Sequence, residues 1–423
     1  MKEYTKMSDK SENKPRNYEI IVIGAGPAGM TAAITAARAG RSVLIIDKNK
    51  KLGRKLYATG NGRCNLSNNH LDLECYNSED EYFPYQVINN AAYMQVNDFV
   101  TGLGVPVHAS DTGWYYPVSG QASTVVWAFA DAIKSEGIAL ALEESCTDIA
   151  YDGQSYTIKT DKNTYITQKL ILACGGSSAP KLGGSESGIS LCRQLGLKTK
   201  HIAPALCRLY VSDDISSLNG VRNRAKASLY DENLFYQKQT GELQFAGDAL
   251  SGIMIYNLSS MAQEMLYKGR RPILYIDLVP DMKKDALKDY LFEYAIAHGK
   301  RTVNACLNGL INDRLAEFIV KKNNINKMKM EDLSENTRMI NKLAYNMKSM
   351  IFHVTGTGDM NDCQVMKGGI DVRQINPINM MVKGSHGLYI VGELLDVDGI
   401  CGGYNIMWAI ATGIKAGMSA GND

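Results

Sequence analysis

The chain has 423 residues, 45% hydrophobic and 21% charged, with a formal net charge of +2. That length exceeds one small core and predicts two or three domains. The near-neutral balance gives no field for nucleic acid or an anionic membrane, and no apolar run reaches the length of a membrane span. The start is polar and lacks a signal-peptide core, so a cytoplasmic protein is expected. Nine cysteines contain no C-x-x-C pair, and six histidines show no metal-ligand spacing. A disulfide framework and a metal site are therefore not expected.

Residues 1–17 read as a flexible tail. From Ile20 to Asp47 the chain reads IIVIGAGPAGMTAAITAARAGRSVLIID, a buried strand, a glycine turn, an alanine-rich helix and a second strand. Gly24, Gly26 and Gly29 form G-x-G-x-x-G, and each has its own task. Gly24 permits the tight turn, Gly26 lets backbone approach a pyrophosphate, and Gly29 lets helix and strand pack closely. The helix N-terminus offers N–H groups and partial positive charge to phosphates. Asp47 stands 18 residues after Gly29, where a carboxylate accepts from a ribose diol. The unit predicts a dinucleotide site.

Next comes KKLGRKLYATGNGRCNLSNN, residues 50–69, too glycine-rich for a helix or strand and basic at Lys50, Lys51, Arg54, Lys55 and Arg63. It reads as a cofactor clamp. Residues 85–103 and 121–136 predict helices, the second stopped by Gly137. IALALEESCTDIAYDG and YTIKT read as strands. The buried strand Leu170 to Ala173 enters a second glycine turn at Gly175 and Gly176, before a helix over Ser187 to Leu195. From 200 to 280, short β-like runs (ALCRLYV, AKASLYD, NLFYQKQ, GELQFAG, RPILYIDLV) predict an antiparallel sheet or barrel. Residues 281–343 are charged and helical and read as a cap, 351–376 return to β character, and GLYIVGELLDVDGICGGYNIMWAIATGIKAG closes with strand, glycine turn and helix.

Four of these stretches, IGAGPAGMTAA, KLGRKLYATGNGRCNLSN, VMKGGIDVRQINPINM and GLYIVGELLDVDGICGGYNIMWAIATG, resemble the two-dinucleotide-binding-domain flavoproteins. More narrowly, they resemble the BaiN/aminoacetone-oxidase-like family of FAD-dependent oxidoreductases. The resemblance runs from about residue 18 to the end. It implies an α/β fold: a Rossmann-like FAD-binding domain (18–195 and 369–423), an inserted β-barrel-like substrate domain (196–280 and 344–368) and a small helical cap (281–343). It further implies that KLYATGNGRCN and CGGYN lie along the flavin. N–H groups of Gly403, Tyr404 and Asn405 then face the pyrimidine carbonyls, where a helix N-terminus stabilises the anionic reduced flavin.

The expected FAD contacts are Gly24, Ala25, Gly26, Pro27, Ala28 and Gly29 in the first turn, with Asp47 and Lys48 after it. The basic loop contributes Arg54, Lys55, Thr59, Gly60, Asn61, Gly62, Arg63 and Cys64. Cys146, Ala173, Cys174 and Gly175 follow, then Gly392 and Glu393, then Gly402, Gly403, Tyr404, Asn405 and Ile406. Three departures from the family bear on the substrate. Relatives often carry G-D-G-Y where this chain has Glu186-Ser187-Gly188-Ile189. They often carry Arg-Val-Phe-Pro where it has Trp114-Tyr115-Tyr116-Pro117, and threonine where it has Cys401.

Flavin chemistry asks the protein for positioning more than for a catalytic triad. Tyr404 and Tyr57 are candidate proton donors, Cys64 and Cys401 candidate thiols near flavin or substrate, and Trp114, Tyr115 and Tyr116 a candidate substrate wall. Packing is the bland alternative for each. One convincing dinucleotide fingerprint exists, so either NAD(P)H binds as a transient donor without its own Rossmann unit, which is the expected case, or electrons come from the substrate or another protein. The reading is NAD(P)H-driven reduction of a C=C bond conjugated to a carbonyl in a small hydrophobic or steroid-like molecule, with no nucleic-acid or membrane partner. The alternatives are an aminoacetone-type amine oxidase and, in another class, a flavin-containing binding or RNA-modifying factor.

Overall fold

The computed structural model describes residues 15–232 and 234–422. Residues 1–14 of the expected tail lie outside them. Arg16–Asn17, also expected in the tail, instead form a short strand parallel to Thr164–Thr167.

The chain divides into two compact units, Met1–Ile202 with Gly368–Asp423, and Ala203–Lys367. In the first, five parallel strands run in the order Leu388–Ile390, Lys169–Leu172, Ile20–Ile23, Val43–Asp47, Ala139–Leu142. The central strand is buried at all four residues, which explains its unbroken apolar run. Both chain ends thus supply strands to one sheet. Helix Pro27–Arg38 packs on the C-terminal helix Tyr404–Asn422 through glycines spaced four apart. A Cβ at Gly413 would sit 2.5 Å from the Ala28 carbonyl, and one at Gly417 2.5 Å from that of Ala32. Small residues on both faces let the two backbones meet.

The expected helix over 85–103 is two helices, Phe83–Val87 and Asn90–Gly102. Ile88 is extended, and the Asn89 side chain accepts from Ala92 N at 2.9 Å, so a new N-cap interrupts the run.

The second unit holds a closed six-stranded barrel: Leu209–Val211, Ala249–Ser251, Leu234–Ala246, Arg222–Asp231, Pro272–Asp277 and Met350–Thr357, the last pairing with the first. Two β-like runs of the sequence merge in the long strand Leu234–Ala246. Between strands lies a helix absent from the sequence reading, Ile253–Tyr267. Its Met254, Ile255, Leu258, Ala262 and Met265 enter the barrel core. These five fall on one stripe at helical spacing, a period that the reading of 200–280 as short β-like runs passes over. Helices Lys284–Ala297, Val303–Leu307, Asp313–Lys322, Met330–Ser334 and Thr337–Lys348 share that same core through Leu287, Val303, Leu315, Met330 and Leu343.

Candidate active site

The fingerprint turn separates three uses of glycine. Gly24 has φ +111°, and a Cβ there would lie 2.3 Å from the Ala173 carbonyl oxygen. A Cβ on Gly29 would lie 1.9 Å from the Gly24 carbonyl oxygen. Gly26 differs: φ is −78°, open to any residue, and a Cβ would meet nothing within 4 Å. Neither backbone nor packing accounts for glycine there. An open surface in front of its α-carbon, beside a helix N-terminus, fits a pyrophosphate. Pro27 opens the helix, no side chain caps it, and its ladder begins with Met30 N on Gly26 O. The N–H groups of Ala28 and Gly29 therefore lie outside the ladder.

Asp47 is more than a ribose ligand. Its Oδ2 accepts from Ala25 N at 2.6 Å, and its Oδ1 accepts from Asn49 N at 2.7 Å. It fixes the turn as well as ending the strand. Oδ1 accepts again from Asn49 Nδ2 at 2.9 Å, so the second lone pair of Oδ2 is the one left for a ribose hydroxyl.

The basic loop docks on this turn through Gly53 N and the Ala25 carbonyl, 2.9 Å apart. Lys55 Nζ pairs with Glu393 Oε2 at 2.7 Å, and Ser178 Oγ donates to Glu393 Oε1 at 2.7 Å. Arg54 donates to the Lys181 carbonyl at 2.7 Å, and Lys48 to Ser185 Oγ. The loop is thereby tied to the second glycine turn, where Gly175 has φ +70° and its Cβ would lie 3.9 Å from Glu393 Oε2. Gly392, with φ +71°, packs so close that a Cβ would lie 2.9 Å from Ala28 Cβ. Ala173 and Cys174 follow the end of the central strand's neighbour, and Cys146 begins the strand Cys146–Tyr151.

Gly60 and Asn61 both adopt left-handed backbone, φ +56° and +55°, as does Cys64 at +61°. The chain turns sharply there, held by Thr59 Oγ1 on Leu56 O and Cys64 N on Thr59 O. Gly62 and Arg63 are exposed, and the Arg63 guanidinium lies 4.8 Å from the Tyr116 ring centroid.

After the loop, Ser67–Asn68 pairs with Trp114–Pro117 in the register Ser67 opposite Tyr115, Asn68 opposite Trp114. Gly402 is lined by the same residues: a Cβ would lie 3.1 Å from Asn68 Nδ2 and 3.2 Å from Trp114 Nε1. Three separate stretches (59–68, 114–116 and 401–405) thus converge. Tyr115 packs edge-on to Tyr93, and Tyr116 is buried.

Two asparagines that the motif reading passed over hold this convergence. Asn68 Nδ2 donates to the Gly402 carbonyl at 3.0 Å. Asn65, its amide oriented by its neighbours, accepts from Gly403 N at 3.2 Å and donates to the carbonyls of Tyr115 and Ser67. Their signal in the sequence is an N-x-x-N spacing within a glycine-rich stretch. The Asn405 side chain closes the turn itself, accepting from Gly399 N at 2.9 Å and donating to Gly399 O at 2.7 Å.

Several expectations are corrected. Gly403 N–H, expected to face the flavin, is taken by Asn65. Because Met407 N opens the ladder on Gly403 O, the Tyr404, Asn405 and Ile406 N–H groups remain outside it. Tyr404 is 2% exposed, its hydroxyl donates to the His70 carbonyl at 2.9 Å, and burial raises its pKa well above that of free tyrosine. Cys64 is fully buried, and burial pushes its thiol up to about 12. Burial does the same to Cys401. Burial thus favours the protonated form of both thiols. Tyr57 keeps 39% of its surface exposed.

The family described as HI0933-like protein Rossmann domain matches residues 18–419. The chain belongs to the HI0933-like family. It is an FAD-dependent oxidoreductase, as the four stretches implied. It is 30% identical over 402 residues to the 3-dehydro-bile acid delta(4,6)-reductase of Clostridium scindens, covering 94% of this chain and 98% of the relative. It is 28% identical over 396 residues to the ribosomal RNA dihydrouridine synthase of Escherichia coli, covering 93% and 95%. The protein of that name in Haemophilus influenzae is 24% identical over 424 residues, covering 98% of this chain and 99% of its own. Among the described residues, no helix is long and apolar enough to cross a membrane.

Proposed function

We propose that this chain reduces a carbon–carbon double bond conjugated to a carbonyl in a small hydrophobic, steroid-like molecule, with FAD as its cofactor and NAD(P)H as the electron donor. The observation that carries the reading is the placement of Trp114 against the Gly402 turn, at the start of the C-terminal helix. An indole and a glycine turn form one wall, suited to a flat apolar ligand.

The residues present fit FAD. The open face of Gly26, with Ala28 and Gly29 N–H groups, would hold the pyrophosphate, and Asp47 the ribose. The Tyr404, Asn405 and Ile406 N–H groups would meet the flavin end, where a helix N-terminus favours negative charge. Bound FAD supplies a two-electron carrier between donor and substrate. The chain's own part is to bind, orient and exclude water. Trp114 and Tyr115 would bury the substrate's apolar face at roughly 25 cal/mol per Å². Tyr57 or solvent would supply the proton to the α-carbon, since the Tyr404 hydroxyl is already donated.

The name of the Clostridium scindens relative supports the reading, because a delta(4,6) bond of a 3-dehydro steroid is conjugated to a carbonyl. The names of the other two relatives favour a second reading. The uracil double bond is also conjugated to a carbonyl, so a uridine in RNA belongs to the same bond class.

One anaerobic experiment separates the readings. Purified protein should be yellow with one FAD per chain and should bleach with NADH or NADPH. A steroid enone should then restore the colour faster than a uridine-containing ribosomal RNA fragment. Recovery with RNA alone would select the second reading. Bleaching by aminoacetone, with recovery only in air, would replace both with an amine oxidase.

A further inference from the structure

Residues 402 and 403 are both glycine, and the peptide between them stands where three stretches of the chain meet. Gly402 has φ +131° and Gly403 φ +96°. A Cβ on Gly403 would lie 2.6 Å from the Ser67 carbonyl oxygen and 2.7 Å from the Asn65 side-chain amide. With no Cβ on either side, little within the backbone resists rotation of this peptide plane. Both its polar ends are nevertheless held. Asn68 donates to its carbonyl at 3.0 Å, and Asn65 accepts from its N–H at 3.2 Å. The carbonyl and N–H of a trans peptide point in opposite directions, so the two asparagines grip it from opposite sides. Both are buried, 7% and 3% exposed. Each is anchored in turn: Asn68 Oδ1 accepts from His70 N at 2.9 Å, and the Asn65 amide donates to Tyr115 O at 3.1 Å.

We propose that Asn65 and Asn68 are positioning residues that lock the Gly402–Gly403 peptide in one orientation, and so fix the charge-stabilising end of helix Tyr404–Asn422 that sets the flavin's reduction potential. The inference rests on the FAD reading above for its second half only. Released from either asparagine, the peptide turns its carbonyl toward the helix mouth. A carbonyl dipole there opposes the N–H groups of Tyr404 and Asn405, and negative charge on the cofactor is held less well. Asn65 also joins the lock to the aromatic strand through Tyr115, so the substrate wall and the helix mouth move as one piece.

The test compares Asn65→Ala and Asn68→Ala with Asn97→Ala. Asn97 accepts from Ser67 Oγ at 2.8 Å, in the same segment, and touches neither end of the peptide. It therefore controls for loosening of the loop. In holoenzyme, the midpoint potential should become more negative in the first two variants and stay at the wild-type value in the third. In apoprotein, hydrogen exchange at the Gly403 amide should quicken about tenfold in Asn65→Ala, and less in Asn97→Ala. Unchanged potential and unchanged exchange in both lock variants would overturn the proposal. So would an equal shift in Asn97→Ala. A lock variant that no longer retains FAD is still decided by the exchange of Gly403 in its apoprotein. A wild-type protein without FAD would refute the proposed function, while the same exchange measurement would still test the lock.

Discussion

The Nζ of Lys55 lies 2.7 Å from Oε2 of Glu393, joining the basic loop to a residue 338 positions away. Both are partly buried, 29% and 20% exposed at the side chain. Ser178 Oγ and Gly176 N approach the same carboxylate. Removing the lysine leaves Glu393 with one charged partner fewer in a half-buried place. Lys55→Met should therefore lower stability by about 1 kcal/mol and weaken FAD retention. Lys55→Met with Glu393→Gln should recover part of the stability, because the uncompensated charge is gone. Additive losses in urea midpoints across this cycle would show that the two residues do not interact.

Gly26 and Gly29 should fail in opposite ways. Gly26→Ala adds a Cβ that meets nothing within 4 Å, so the melting temperature of apoprotein should stay near wild type while the FAD-to-protein absorbance ratio falls sharply. Gly29→Ala drives a Cβ to 1.9 Å from the Gly24 carbonyl, so the apoprotein itself should lose stability. Full FAD content in Gly26→Ala would place the cofactor elsewhere.

The Cys64 thiol gives a pH signature. Burial raises it from an ordinary value of 9.0 to about 12. Below pH 9 both folded and unfolded chains hold the proton, and the thiol adds no pH slope. Above it the unfolded chain loses the proton first, so stability falls as pH rises toward 12, at up to about 1.4 kcal/mol per pH unit per such thiol. Cys64→Ala should flatten that decline between pH 9 and the highest pH at which folding stays reversible. An identical slope in the variant, measured by urea denaturation, would contradict the assignment.

Tyrosine substitutions distinguish structure from proton transfer. Tyr404→Phe removes a hydrogen bond to His70 O and should cost about 1 kcal/mol of stability with kcat near wild type. Tyr57→Phe should leave stability unchanged and, where Tyr57 delivers the proton, lower kcat by about two orders of magnitude, the low end of the range for general acids. A large loss of kcat in Tyr404→Phe at wild-type stability would reverse these roles.

The sequence by itself determined the dinucleotide unit from Ile20 to Asp47. Its signals are local: an apolar run, three glycines at fixed spacing and an acid at the end of the next strand, all within 28 residues. The barrel and the helices after residue 281 were legible for the same reason, since alternation and helical period act over a few residues. Helix Ile253–Tyr267 carries its helical period too, at Met254, Ile255, Leu258, Ala262 and Met265, but stands among β-like runs that set the reading of the whole stretch. The tertiary structure decided what the loops do. The register that sets Trp114 opposite Asn68 and the Asn65 bond to Gly403 join segments tens to hundreds of residues apart. So does the Tyr404 hydroxyl, which donates to the His70 carbonyl. A side-chain amide or hydroxyl bonds whatever the fold brings within about 3 Å. No spacing along the chain records which partner that is.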